Sequence, residues 1–430
     1  MLRINRIGRF AAGAGVVLAL GCGNLLEVSD PSRFTDEDLD QALDAVAAGA
    51  EGDLHDEISS LNNLSGLLGD ELQHTGTWAG WDDIDHGRIR YDQDGSSDGG
   101  AGLLRARFAS LDALARFERL TGEGQDVDQA LYAQVQATHG WSNLLLAQHF
   151  CEAPAEPGGS AVSDAALYEA AVASLTTAIA TAQAAGATDF ERWARAGRAR
   201  AHLMLGNFNE AEADAQAIPD AWTYNAKYSQ GNSENSIVNL STITFNNAGG
   251  IRAKWWSRVD VDDRMLMDAF TNELDPRVAI RRDAGVLGVD GVTDFYSQWK
   301  YRAVSDDIPL THSDEMRLIE AEVEWRRGNL PEAMTILNGL RTAAGLTGVT
   351  ATTSEEVFDV LLNERFAELF MEGQRTNDLY RFELFDDLVA AGDFVASVAN
   401  RSIKFPMDSG EAANSQAIEN NASQRCAPTL

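Results

Sequence analysis

Trp78, Trp81, Trp255, Trp256, Trp299 and Tyr301 fall in or beside segments without helical or strand periodicity, where an indole need not be packing filler. Flat aromatic faces match the apolar faces of pyranose rings, and neighbouring Asp, Asn and Arg side chains can satisfy sugar hydroxyls. Asp70, Asp82, Asp83 and Arg88 stand near the Trp78/Trp81 pair. Any single tryptophan is more often core than contact, so the pair with charged neighbours is the strongest of these candidates.

Bond-making chemistry finds less support. Gly95-Ser-Ser-Asp-Gly99 fits the G-x-S-x-G pattern, but a nucleophile elbow needs a strand before the serine and a helix after it. Here the motif lies in Gly/Asp-rich text of a helical chain. The seven histidines are dispersed, with no HExxH pair and no closely spaced cysteines, so no metal site is expected. Asp92, Asp94 and Asp98 lack the glycine and the closing glutamate of a calcium loop and read as a solvated acidic turn. Carboxylates are so abundant that no glycosidase pair can be singled out. No catalytic residue and no cofactor is assigned.

The chain has 430 residues, 44% of them apolar, enough for a substantial core in one large domain or two to three smaller ones. Its 66 acidic and 34 basic residues give a formal charge of -32. Such a surface repels phosphate backbones and anionic headgroups, which argues against nucleic-acid binding. Arg3, Arg6 and Arg9 precede an apolar run from Phe10 to Leu20, then Gly21 and Cys22. That layout predicts a lipoprotein signal peptide over residues 1–21 and a lipid on Cys22, although Ala19 and Leu20 give a shifted lipobox; an ordinary secretory signal is the alternative. The run is short of the roughly 20 residues of a membrane span, and no later stretch is expected to cross, so only the lipid would hold the chain to a membrane. With Cys22 acylated, Cys151 and Cys426 are the thiols left in an oxidising compartment, and they form either a disulfide across a long loop or two free groups.

Positioning these residues falls mainly to helices. Thr35 with Asp38 marks a helix start, and Leu39, Ala42, Leu43, Val46 and Ala50 share one face beyond it. Residues 76–102 read as a long loop. Gly206-Asn-Phe-Asn-Glu-Ala211 and Gly328-Asn-Leu-Pro-Glu-Ala333 repeat one another, each with an alanine seven residues before its glycine, at Ala199 and Ala321. Small residues where helices cross and glycines where the first helix ends are the logic of tetratricopeptide hairpins. Tyr168, Ala171, Leu175 and Ala178 suggest a further second helix, for about four pairs in all. Ser236 to Phe245 alternates as a short strand, and Asn246 to Gly250 and Asp283 to Asp294 hold turn residues.

The densest signal is Asn363 to Phe382, NERFAELFMEGQRTNDLYRF. Glu364, Glu368 and Glu372 recur at helical spacing beside an apolar stripe, which predicts a helix to Glu372 that stops at Gly373. Arg365, Arg375, Asp378 and Arg381 interleave opposite charge, as a partly buried ion network would. This wording resembles the near C-terminal signature of the SusD/RagB family of nutrient-capturing surface lipoproteins. Leu131 to Pro154 resembles that family's early helix and turn, with Cys151-Glu152 where Gly-Asp is usual. Lys404 to Asn421 resembles its C-terminal tail.

The resemblance implies a mostly α fold: a scaffold of about four tetratricopeptide-like hairpins over residues 22–430, with a variable, irregular insert near 222–307 that contains short strands. It implies a non-catalytic receptor, lipid-anchored on the outer membrane and facing outward. Such a receptor would bind an oligosaccharide or a peptide and pass it to a SusC-type TonB-dependent porin. The segment around Arg365 would be structural, and ligand contacts would come after the Asp70-Glu71 pair. Two readings compete: a tetratricopeptide-like scaffold for other proteins at the outer membrane, and an all-helical glycoside hydrolase.

Overall fold

The computed structural model describes residues 35–89, 94–155, 158–242, 246–390 and 402–407. Cys22, Asp92 and Cys426, and the signal peptide over 1–21, lie outside them. The chain divides after Leu43 into two units. In the first, Thr35 opens α1 (Asp36–Asp40) with a reciprocal cap: its hydroxyl accepts from the Asp38 N–H, and the Asp38 carboxylate accepts from the Thr35 N–H at 2.8 Å.

The second unit is built on helices. Long helices α2 (Leu43–Leu68), α4 (Asp94–Gly122) and α5 (Gln129–His149) flank the short α3 (Ala79–Asp85). From Ala133 to His149 every residue of α5 is buried, so this helix is enclosed on all sides. Against it packs α6 (Asp164–Ala185), capped by Ser163 and ended by Gly186 in the left-handed region. By length and composition α6 could cross a bilayer, which the sequence reading did not anticipate; its Leu167, Tyr168, Ala171, Leu175 and Ala178 are buried as a core helix face.

Close approach of these helices depends on glycine at two points. A Cβ on Gly140 would stand 2.5 Å from Leu175, and one on Gly197 would stand 2.8 Å from the Trp141 ring. Gly197 lies in α7 (Thr188–Met204), which turns at Gly206 into α8 (Phe208–Gln216). The same turn at Gly328 joins α10 (Ser313–Arg327) to α11 (Leu330–Ala343), after the short α9 (Ser236–Ser241). Ala199, Ala211, Ala321 and Ala333 are all fully buried, as hairpin packing requires. The pairs α5/α6, α7/α8 and α10/α11 pack as hairpins, α12 (Ser354–Glu368) packs on α10 and α11, and the short α13 (Arg375–Arg381) and α14 (Phe385–Ala390) come last.

Strands are short and cluster between α8 and α10. β1 (Leu72–His74), β2 (Glu152–Pro154) and β3 (Ala161–Ser163) precede that region. Within it lie β4 (Thr223–Ala226), β5 (Asn246–Asn247), β6 (Gly249–Ile251), β7 (Val259–Asp260), β8 (Met265–Met267), β9 (Leu274–Leu287), β10 (Asp294–Gln298) and β11 (Ile308–His312). The order β10-β9-β8-β7 forms an antiparallel sheet. β11 returns to pair with β4, Ile308 opposite Ala226 and His312 opposite Thr223, so the excursion leaves and rejoins the helices at one place.

Three local expectations are corrected. Ser236 begins helix α9 rather than a strand, because the Asn235 side chain accepts from the Ile237 N–H and turns the chain. Residues 76–102 are not one loop: they hold α3 and the start of α4, and the Gly95–Gly99 motif sits within a helix. The helix through Glu364 ends at Glu368, not Glu372. Met371 has φ 56°, its N–H is drawn to Glu71, and its carbonyl accepts from Asn62.

The expected ion network is present and joins the helices to the strands. Arg277 of β9 donates to Glu364 (2.7 Å) and Glu368 (2.8 Å), and Lys300 donates to Glu372 at 2.6 Å. Arg365 and Arg381 both bind Asp378. Arg341 of α11, with no exposed side-chain surface, binds Asp268 at 2.9 Å and Glu364 at 2.7 Å. Removing a buried cation strands its carboxylates, so Arg341→Leu is expected to lower the unfolding free energy in urea by about 3–5 kcal/mol. Arg341→Lys, which keeps the charge but not the two-pronged geometry, should recover only part of that.

Candidate functional site

Two residues just past the end of α2 fix the path of the chain into the site. Asp70 is fully buried and takes both prongs of Arg375, Nε to Oδ1 at 2.6 Å and Nη2 to Oδ2 at 2.8 Å, with Lys254 Nζ at 3.0 Å. Burial alone would raise its pKa; the two cations outweigh that and hold it well below the usual carboxylate range. Glu71 accepts from the Met371 N–H at 2.7 Å, and here burial wins and lifts the carboxyl to about 7.

From this anchor the chain runs into β1, which pairs with β6 in the register Leu72 to Ile251 and His74 to Gly249. The Thr75 hydroxyl donates to the Asn247 carbonyl at 2.6 Å. Asp85, at the far end of α3, accepts from the His74 N–H at 2.8 Å and from Arg252. Helix α3 is thereby pinned to the short sheet. Its first turn carries Trp78 and Trp81, whose rings lie 6.2 Å apart and tilted by 58°.

These two indoles form one side of an open cleft of about 410 Å³. Ser60, Asn63 and Leu64 of α2, Ser236, Asn239 and Leu240 of α9 and Asn246 of β5 line the rest of it. Trp78 is 48% exposed. The α2 and α9 walls are joined by hydrogen bonds: Asn63 donates to Ser236 Oγ at 3.1 Å, and the Ser236 hydroxyl donates to Ser59 Oγ at 2.9 Å. Aromatic faces beside amides and hydroxyls can stack on a ring and satisfy its polar rim. A second open cleft of about 400 Å³, lined by Gly49, Gly52, Asp53, His55 and Asp56 with residues 227–229, 232 and 233, lies toward the start of α2.

Of the eight residues expected to contact ligand, the structure brings Trp78 and Trp81 to the cleft and places the rest elsewhere. Asp70 is the buried partner of Arg375. Arg88 closes the end of α3 by binding Asp83 (2.7 Å) and Asp82 (2.8 Å). Trp255 stacks on Phe366 at 4.4 Å and donates to the Asp70 carbonyl; Trp256 stacks on Tyr296 at 4.7 Å. Trp299 is covered by the guanidinium groups of Arg264 and Arg281. Tyr301 is 3% exposed and its hydroxyl donates to the Met371 carbonyl. None of these six lines the cleft: Asp70 and Tyr301 are buried, Trp255, Trp256 and Trp299 are partly buried, and Arg88 is exposed. Asn63, Asn239, Asn246, Ser60 and Ser236 were missed; the polar pair Asn62-Asn63 inside an apolar helix was the one available signal. Among the described residues no cluster of three or more His, Cys, Asp or Glu could hold a metal.

Similarity to known proteins points in the same direction. Residues 297–425 match the model of the SusD family. The starch-binding protein SusD of Bacteroides thetaiotaomicron is 29% identical over 191 residues, 40% of this chain and 33% of that protein. The match thus spans about a third of the relative's length. A SusD superfamily protein from Bacteroides vulgatus superposes with a TM-score of 0.69 at 15% identity, covering 88% of this chain and 97% of the other. Surface glycan-binding protein A from Bacteroides uniformis gives 0.63 at 16% identity, covering 90% and 99%. At such identities the structural likeness is one of fold.

The Glu71 carboxyl generates a pH prediction. Its pKa is raised from an ordinary 4.5 to about 7, so its share of stability is fully present below 4.5 and is lost as pH rises through 7. Urea unfolding of the wild type should therefore lose roughly 2–3 kcal/mol over that window relative to Glu71→Gln, which cannot ionise. Parallel pH profiles for the two proteins would remove Glu71 as the source.

Proposed function

We propose that this member of the SusD/RagB family is a non-catalytic receptor that takes an oligosaccharide into the Trp78/Trp81 cleft and hands it to a SusC-type TonB-dependent porin. The cleft carries the reading: two adjacent indoles share the lining of an open space with amides and hydroxyls, and its volume would admit a sugar chain. The names of its relatives, a starch-binding and a glycan-binding protein, point the same way. Stacking and hydrogen bonding hold the ligand, and no bond is made or broken.

Lipid on Cys22 would keep the receptor at the outer membrane, facing outward, with the stretch near 222–307 as the family's variable insert. Cys151 is disulfide-bonded, and both other cysteines of the chain lie outside the described residues. Cys426 is the proposed partner. In support, residues 402–407 pack beside Cys151: its N–H donates to the Phe405 carbonyl, and the Phe405 N–H donates to the His149 carbonyl at 2.8 Å.

A glycan array followed by calorimetry on the best binder tests the site. Trp78→Ala and Trp81→Ala are each expected to weaken binding roughly tenfold. Because Trp78 is half exposed, its replacement should change the unfolding free energy by only about 0.5 kcal/mol. Undiminished affinity in both variants would move the site elsewhere. For the covalent proposals, thiol titration of the unfolded, unreduced mature protein should find no reactive group, and two would reject the Cys151 to Cys426 bond.

A further inference from the structure

The cleft's lining divides into groups already committed and groups left open. Asn63 is held against Ser236, and Ser236 against Ser59, so this wall is fixed by its own hydrogen bonds. Ser60, Asn239 and Asn246 are different. Each is partly exposed at the cleft, and among the described residues no hydrogen bond engages its side chain. A primary amide both donates and accepts, as does a hydroxyl. Three such groups in one lining with Trp78 and Trp81 therefore suit a ligand whose polar rim also donates and accepts at every point.

Among the described residues that line the cleft, none is ionisable. Charges on the adjoining elements are paired: Arg88, itself exposed, binds Asp82 and Asp83, Lys254 binds Asp70, and Arg252 binds Asp85. A carboxylate or sulfate seated in the cleft would give up part of its water and find no cation among the described lining residues to replace it, a net cost even in an open site. The net charge of -32 adds long-range repulsion. A cationic ligand would be drawn by that field but would meet no carboxylate in the lining.

Resting on the receptor reading, we infer that the ligand class is an uncharged glycan, and that Asn239 and Asn246 determine this specificity by reading hydroxyls while offering no charge. Uronic-acid and sulfated glycans are excluded at the cleft itself, not merely by the acidic surface. The distinction has a measurable form. Surface repulsion is screened by salt within a Debye length, whereas the desolvation of an unpaired anion inside the cleft is screened far less.

The experiment uses the mature protein on an array that pairs neutral polysaccharide fragments with uronate-bearing and sulfated counterparts, at about 0.05 M and about 0.5 M salt, with Trp78→Ala alongside. The expected result is binding to neutral fragments at least about tenfold above their anionic counterparts at both salt concentrations, lost in Trp78→Ala. Asn239→Ala and Asn246→Ala should each weaken the neutral ligand about fivefold or more, and Asn239→Lys should gain affinity for the uronate counterpart of the bound fragment. Tight binding of anionic fragments that still depends on Trp78 overturns this inference and leaves the receptor reading intact. Selectivity that vanishes at the higher salt assigns it to the surface and also overturns it. No binding to any array member, or binding indifferent to Trp78, overturns both.

Discussion

The contact on which the site depends is the buried ion pair of Asp70 with Arg375, shared with Lys254. It joins three segments that are far apart in sequence: the end of α2, the 3-10 turn over residues 253–258, and the first turn of α13. Glu71 adds a fourth strand to the knot by holding the Met371 N–H. Only with these in place does β1 leave α2 in the direction that pairs it with β6. That pairing in turn gives Asp85 the His74 N–H and Arg252 on which α3 is docked. The Trp78/Trp81 pair is thus positioned by charges that never touch the cleft.

The same device recurs throughout the C-terminal half. Glu364 is shared by Arg277 and Arg341, Glu372 by Lys300 and His312, and Asp378 by Arg365 and Arg381. Arg277 and Lys300 come from the strand-rich region, so Glu364 and Glu372 are fixed points between it and the C-terminal helical segment, while Asp378 ties α12 to α13. Buried pairs of this kind contribute little net stability compared with apolar side chains of the same volume, yet they tolerate one registration only. Their value here is geometric: they determine where an irregular region with little core of its own must sit on a regular helical frame.

This explains what could be read from the sequence. The hairpins were legible because Ala199, Ala211, Ala321 and Ala333 must be small and Gly206 and Gly328 must adopt positive φ, constraints that local spacing expresses directly. The ion network was legible as a pattern of types, but its partners were not, since Arg277 to Glu364 and Arg375 to Asp70 are pairings between distant segments. Trp255, Trp256 and Trp299 were misplaced for the same reason. Local irregularity suggested open rings, while Phe366, Tyr296 and Arg281 from elsewhere each pack against one of them and leave it partly exposed. Helix α9 was misread because Ile237, Val238 and Leu240 are buried in either period, and the deciding residue was the cap, Asn235. Of the cleft amides only Asn63, beside Asn62 in an apolar helix, left a trace; Asn239 and Asn246, single asparagines at the end of a short helix and in a two-residue strand, gave no pattern.

Charge and recognition are consequently separated in this chain. Carboxylates and guanidinium groups hold the frame by pairing with one another, while indoles, amides, hydroxyls and leucine line the cleft, with no charged group among the described residues there. A site built that way can change its reading of a ligand through Asn239, Asn246 or Trp78 without disturbing the contacts that keep α2, α3 and α9 in place, because those contacts belong to Ser59, Asp70, Asp85 and Asn235. Conversely, a change at Asp70 or Arg375 would alter recognition only by moving the whole aromatic wall. The cleft's side chains are therefore the part of this structure free to diverge, and the ion pairs beneath them the part that must stay.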